Sequence, residues 1–196
     1  MSTADRVREV TLRLVDLLEA EGIPYFFMGG VAVPIWGIPR ATYDVDLTLS
    51  VEESGLREFL AFARRSGFAV DPVFEVGFRD VVSGMQKISI EWWTEEPRRV
   101  EVDVFLVTTD YQRAAFPRRR RVKIDGREFW VVAPADLILH KLVAGRPKDF
   151  ADVQNVLLVQ GVPDPEYLAT WARRLGVEDL LARALRDAGL SPLGEG

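Results

Sequence analysis

Residues 27–47 read Phe-Met-Gly-Gly-Val-Ala-Val-Pro-Ile-Trp-Gly-Ile-Pro-Arg-Ala-Thr-Tyr-Asp-Val-Asp-Leu. Two signals meet in this stretch. Asp44 and Asp46 lie in residues 43–51, where polar and apolar side chains alternate with period 2. That pattern predicts a strand, and a strand turns both carboxylates to one face and Val45 and Leu47 to the other. Two like charges on one face repel unless a cation sits between them. A hard divalent ion such as Mg2+ suits the place, because it takes oxygen ligands from one or two carboxylates and from substrate phosphates. A bare Asp-x-Asp pair also reads as an exposed strand face. The second signal is upstream: the apolar run from Pro24 to Met28 predicts a buried strand that ends at Gly29-Gly30, before a short helix over 31–36. Glycines at that junction let backbone amides approach a phosphate with no Cβ in the way, and the helix start adds favourable partial charge. Alone, the pair reads as a tight turn. Together, a phosphate cradle and a carboxylate-bearing strand describe a site for a metal-bound polyphosphate.

A third carboxylate is expected on another alternating strand, 100–108. Asp103 lies there among strongly apolar neighbours, where an unpaired carboxylate is costly to bury. Glu101 shares its face and competes for the role, but it lies nearer the charged start of the strand after Pro97-Arg98-Arg99. Further out, helical periodicity predicts amphipathic helices over 3–21 and 53–66. Strand-like runs cover 74–78 and 86–92, separated from their neighbours by Asp-Pro, Ser-Gly and Glu-Glu-Pro breaks. Asp125-Gly126 predicts a hairpin joining 120–124 to 127–131, since that dipeptide supplies the positive φ angles a tight turn needs. Beyond Pro134 the pattern is helical, over 134–144, 147–159, 164–175 and 178–188. Strands first and helices last predict an α+β fold. The division expected is a core over 1–133 and a C-terminal helical region over 134–196, which packs either separately or into the same core.

The composition narrows the chemistry. The 196-residue chain has no cysteine, which excludes a disulfide scaffold, thiolate zinc, iron–sulfur clusters and a cysteine nucleophile. One histidine, His140, excludes any site built from two imidazoles, and that residue reads as structural or surface. A net charge of −5 speaks against a basic nucleic-acid coat while allowing a local patch. Arg118–Arg121 with Lys123 is such a patch; it reads as a contact to an acidic acceptor such as tRNA, or as an edge strand guarded by charge. The aromatic residues Phe74, Phe78, Trp92, Trp93 and Phe105 read as core. The chain lacks a signal-peptide apolar core and an apolar run of about 18 residues, so a cytoplasmic protein with no membrane partner is expected.

The order of Gly29-Gly30, then Asp44-Val-Asp46, then Asp103 on a later strand resembles the nucleotidyltransferase superfamily related to DNA polymerase β. Residues 37–47 and 140–153, the latter holding His140-Lys141, Arg146, Lys148-Asp149 and Asp152, are similar to the AbiEii-like branch, the toxins of type IV toxin–antitoxin systems. The likeness covers roughly 24–157. It implies a mixed, twisted sheet flanked by helices, and transfer of a nucleoside monophosphate from an NTP to a hydroxyl of a protein or RNA acceptor. It also implies two Mg2+ ions, with Mn2+ as an alternative, held by Asp44, Asp46 and Asp103, the last serving as base. Gly29 and Gly30 would hold the β- and γ-phosphates. Arg40 and Lys141 would add charge to the triphosphate, with Asp149 as an accessory residue, and a cognate antitoxin is an expected partner. Lys141 reads equally as a solvated side chain, Arg40 as the partner of a carboxylate, and Asp149 with Asp152 as charges complementing the start of a helix. Transfer to a small molecule of the antibiotic type, and a catalytically silent binding module, are the competing functions.

Overall fold

The computed structural model describes residues 2–93 and 99–193; the Glu95-Glu96-Pro97 break lies outside the described residues. Contacts group the chain into two units, one of residues 1–31 and 41–131 and a second of residues 32–40 and 132–196.

The first unit is built on a mixed, twisted sheet flanked by helices. Its strands are β1 (Tyr25–Met28), β2 (Asp44–Leu49), β3 (Ala69–Val70), β4 (Asp80–Val82), β5 (Met85–Trp93), β6 (Arg99–Leu106), β7 (Arg120–Ile124) and β8 (Arg127–Val131). The sheet order is β3-β5-β6-β2-β1-β8-β7, with β4 also pairing on β5. All four side chains of β1 are buried, as its unbroken apolar run requires, and it pairs antiparallel with β2. β2 in turn runs parallel to β6. Helix α1 (Thr3–Ala20) starts at a reciprocal cap between Ser2 and Asp5 and buries Val7, Val10, Leu14 and Leu18. Helix α3 (Glu53–Arg65) buries Leu56, Phe59, Leu60 and Ala63. Helix α2 (Gly29–Trp36) leaves β1 with no intervening loop.

Two short helices are among the elements that differ from the sequence expectation. The run 74–78 is not a strand: residues Pro72–Glu75 form a helical turn, α4. Asp71 accepts a hydrogen bond from the Val73 amide at 2.9 Å, and Pro72 sits in the first helical position. Asp-Pro here is an N-cap followed by a residue with pre-set φ, which starts a helix instead of merely breaking a strand. Helix α5 (Asp110–Ala115) was unforeseen, although Thr109 and Gln112 form a capping box at its start.

The second unit contains α6 (Pro134–Ala144), α7 (Pro147–Gln160), α8 (Pro165–Arg174) and α9 (Glu178–Asp187). Residues 32–40 join it through side-chain bonds: Trp36 Nε1 donates to the Val132 carbonyl at 2.8 Å, and Gln160 Nε2 donates to the Trp36 carbonyl at 3.0 Å. Residues 135–142 of α6 are all buried, so this is a central helix with no water-facing stripe. His140 is among them, and burial, with the Lys141 charge beside it, lowers its pKa from 6.5 to about 4. Above pH 6.5 the ring is neutral in both folded and unfolded chains and contributes nothing to pH dependence. Below that, the unfolded chain takes up a proton that the buried ring refuses until about pH 4, so stability falls as the pH drops through this window. His140→Leu is expected to flatten that part of the profile, measured by urea melts at pH 7 and pH 5. Equal pH dependence in the two proteins would count against it. Among the described residues no helix is long and apolar enough to cross a membrane.

Candidate active site

Alternation along β2 buries Val45 and Leu47 completely and leaves Asp44 and Asp46 partly accessible on the opposite face. Register supplies the next carboxylates. Asp103 is the Cα partner of Asp46 on the parallel neighbour β6, and Glu101 is the partner of Asp44. Cross-strand partners share a face, so both acidic residues considered from the sequence lie beside the Asp44–Asp46 pair. They differ in surroundings. Glu101 is exposed, whereas the Asp103 side chain is 22% accessible and its Oδ1 accepts hydrogen bonds from Lys87 Nζ and Ser89 Oγ, each at 2.8 Å. Lys87 and Ser89 come from β5, which pairs antiparallel with β6 and sets Ser89 opposite Asp103. Sequence reasoning missed both. The β5 alternation carried a signal, since Lys87 and Ser89 alternate with the buried Ile88 and Ile90, but choosing their partner requires the strand register.

The two glycines are explained by the same carboxylate strand. Gly29 has a φ of +54°, and a Cβ there would lie 1.7 Å from Asp46 Oδ2 and 2.5 Å from its Cγ. A Cβ on Gly30 would lie 2.0 Å from Thr42 Oγ1. That hydroxyl donates to Asp44 Oδ1 at 2.8 Å. Gly29 therefore makes room for Asp46, and Gly30 for the threonine that holds Asp44. Gly29→Ala is expected to cost about 1–3 kcal/mol of folding free energy, from the left-handed backbone and the forced displacement of Asp46. Chemical denaturation measures it, and an unchanged midpoint would contradict this account.

Asp44, Asp46 and Asp103 form an all-oxygen donor set, whose chemistry suits Mg2+ or Mn2+ over softer ions. Among the described residues no group of three or more acidic or imidazole side chains is close enough to hold one ion together.

The remaining basic candidates form a cluster of their own in the second unit. Arg40 pairs with Asp152, Nε to Oδ1 at 2.5 Å and Nη2 to Oδ2 at 2.6 Å. Lys141 Nζ lies 2.9 Å from both Asp149 Oδ1 and Asp152 Oδ2, and Arg146 Nε reaches Asp149 Oδ2 at 2.5 Å. Both carboxylates are essentially inaccessible, and Lys141 is itself buried. Burial alone would raise the two aspartate pKa values. Hydrogen bonds from Arg146 and Lys141 to Asp149, and from Arg40 and Lys141 to Asp152, outweigh it and hold both below the ordinary 3.8. The i, i+3 spacing of Asp149 and Asp152 thus places both at one lysine. In the basic hairpin, Arg121 pairs with Glu19 and Glu128, Arg127 with Asp16, and Asp125 with Arg8, so several of its charges are already compensated.

Comparison with known proteins agrees with this architecture. The model of a family described as nucleotidyltransferase of unknown function (DUF6036) matches residues 19–174. An antigenic nucleotidyltransferase-like protein from Paracoccidioides brasiliensis superposes with a TM-score of 0.58 at 21% identity, covering 93% of each chain. ANT(2″)-Ia, solved in complex with adenylyl-2″-tobramycin, superposes with a TM-score of 0.54 at 15% identity, over 87% of this chain and 98% of its own. At these identities the likeness is one of fold. No curated protein sequence matches the chain.

Proposed function

The chain belongs to the DUF6036 nucleotidyltransferase family, and on that premise we propose that it transfers a nucleoside monophosphate from an NTP to an acceptor hydroxyl. The observation that carries this reading is the placement of Asp44 and Asp46 on one face of β2, with Asp103 in register beside Asp46 and the glycine junction of β1 and α2 against them.

In this reading Asp44 and Asp46 are the residues that would hold Mg2+. Bound there, Mg2+ supplies charge neutralisation for the triphosphate and lowers the pKa of an acceptor hydroxyl. The chain's own groups do the rest. Gly29 and Gly30 expose backbone amides at the start of α2 to the β- and γ-phosphates. Asp103 accepts the proton of the acceptor hydroxyl as its oxygen bonds to the α-phosphorus and pyrophosphate departs. Arg40 and Lys141, the other residues proposed for the triphosphate, are held by Asp152 and by Asp149 with Asp152.

Incubating the protein with each α-labelled NTP, Mg2+ and cell extract tests the proposal. The expected result is label on a protein, RNA or small-molecule fraction, dependent on Asp44 and Asp46; no transfer from any NTP would end it. The fraction labelled distinguishes the protein or RNA acceptor from the antibiotic-type alternative. A toxin role, carried by the resemblance of residues 37–47 and 140–153, further predicts that the product of a neighbouring reading frame suppresses labelling.

A further inference from the structure

Lys87 is a cation in direct contact with the proposed base. Its side chain is only 14% accessible, and its ammonium lies 2.8 Å from Asp103 Oδ1. Ser89 Oγ donates to the same oxygen at 2.8 Å. The strand register fixes this arrangement: Ser89 faces Asp103 across β5–β6, and Asp103 faces Asp46 across β6–β2, so Lys87 sits one residue pair along the same face. β5 and β2 flank β6, with neighbouring strands about 4.8 Å apart, so Lys87 and the carboxylates proposed to hold a divalent ion share one sheet face on either side of Asp103. Partly buried, the ammonium is less screened than a fully exposed charge.

We propose that Lys87 is a built-in monovalent counter-ion for Asp103, so that the nucleotide-free site takes a single divalent cation, on Asp44 and Asp46. This rests on the metal-bound reading above. The third carboxylate has its negative charge met by the chain, in line with the lack of a three-carboxylate group among the described residues. The consequence is electrostatic. A resident +1 charge repels an incoming +2 ion and removes the Asp103 charge from the field that attracts it. Deleting the ammonium should therefore tighten divalent-ion binding about tenfold, the size expected for a +1 and a +2 charge several ångströms apart near a water-exposed surface. Lys87 is a positioning residue in this scheme, acting on the metal site through Asp103.

The test is titration of the full-length, nucleotide-free protein with Mn2+, followed by the electron paramagnetic resonance signal of the free ion. Wild type is expected to bind one Mn2+, lost in Asp44→Asn/Asp46→Asn. Lys87→Met and Lys87→Gln are each expected to bind about tenfold more tightly, and Lys87→Arg is expected to match wild type. Ser89→Ala, which drops a hydrogen bond but no charge, should leave the affinity unchanged. In Lys87→Met/Asp103→Asn the gain should disappear, because it depends on the freed Asp103 charge. Two equal Mn2+ sites in wild type, unchanged affinity in both neutral variants, or a gain that survives Asp103→Asn would each overturn the proposal while leaving the carboxylate-pair reading standing. No Mn2+ binding by wild type or by the Lys87 variants would overturn both.

Discussion

Asp46→Asn is expected to lower nucleotidyl transfer about a thousandfold, the scale of losing several kcal/mol of charge stabilisation in a phosphoryl-type transition state. The change keeps the shape of the side chain and removes one of its two anionic oxygens. Asp46 occupies the position that links the rest of the site: it is adjacent to Asp44 on β2, in register with Asp103 on β6, and packed where Gly29 has no Cβ. Because the substitution is isosteric, the melting temperature should stay within about 4 °C of wild type. Initial rates with labelled NTP and thermal melts on the same preparation provide the check. Transfer within tenfold of wild type would remove Asp46 from the machinery, and a loss of activity accompanied by a large fall in melting temperature would make its role structural.

The second large effect is on stability. Lys141→Met should destabilise the protein by about 3–5 kcal/mol, because it leaves Asp149 and Asp152 buried with a shared partner removed. Arg40 holds Asp152 and Arg146 holds Asp149, while Lys141 contacts both carboxylates. Denaturant melts at pH 7 measure the loss. The same pair gives a pH signature whose sign follows from the shifts: both aspartates titrate below 3.8 when folded, so the stability they contribute is present above the unfolded value and is lost as pH falls through the folded one. Wild type should therefore lose stability steeply below about pH 4, and Lys141→Met less steeply, since part of that linkage is gone. A wild-type midpoint for Lys141→Met would show that the arginines suffice. Restoration by Asp149→Asn in the Lys141→Met background is the expected outcome if an uncompensated charge is the cause.

What was readable in the sequence follows the range of the interactions. The β2 alternation, the Asp125-Gly126 hairpin with positive φ at both residues, and the helices from Pro134 onward are set by neighbours a few residues apart. Even some local grammar was misread. Asp71-Pro72 has the chemistry of a helix start, but the apolar run that follows it resembles a strand, and the capping box at Thr109–Gln112 was there to be found. The pairs that define the charged groups are different. Lys87 meets Asp103 across 16 residues and Arg40 meets Asp152 across 112. Such partners are chosen by strand register and by the gathering of 32–40 with the C-terminal helices, neither of which leaves a periodic trace. For Asp103 against Glu101 the sequence offered neighbours as the criterion. The structure adds that Asp103 is the one grasped by Lys87 and Ser89.

The missing side chain at position 29 also has a meaning for divergence. With a Cβ there, the Asp46 side chain must move; without Asp46, the reason to exclude a Cβ largely lapses, leaving only the backbone angle. The two positions are therefore tied as a pair. A lineage that abandons the chemistry at Asp46 is freed to acquire alanine or serine at 29, and one that first acquires the bulkier residue at 29 is driven to give up the aspartate. Within this family, a filled position 29 should serve as a mark of a relative that has kept the scaffold and put it to another use.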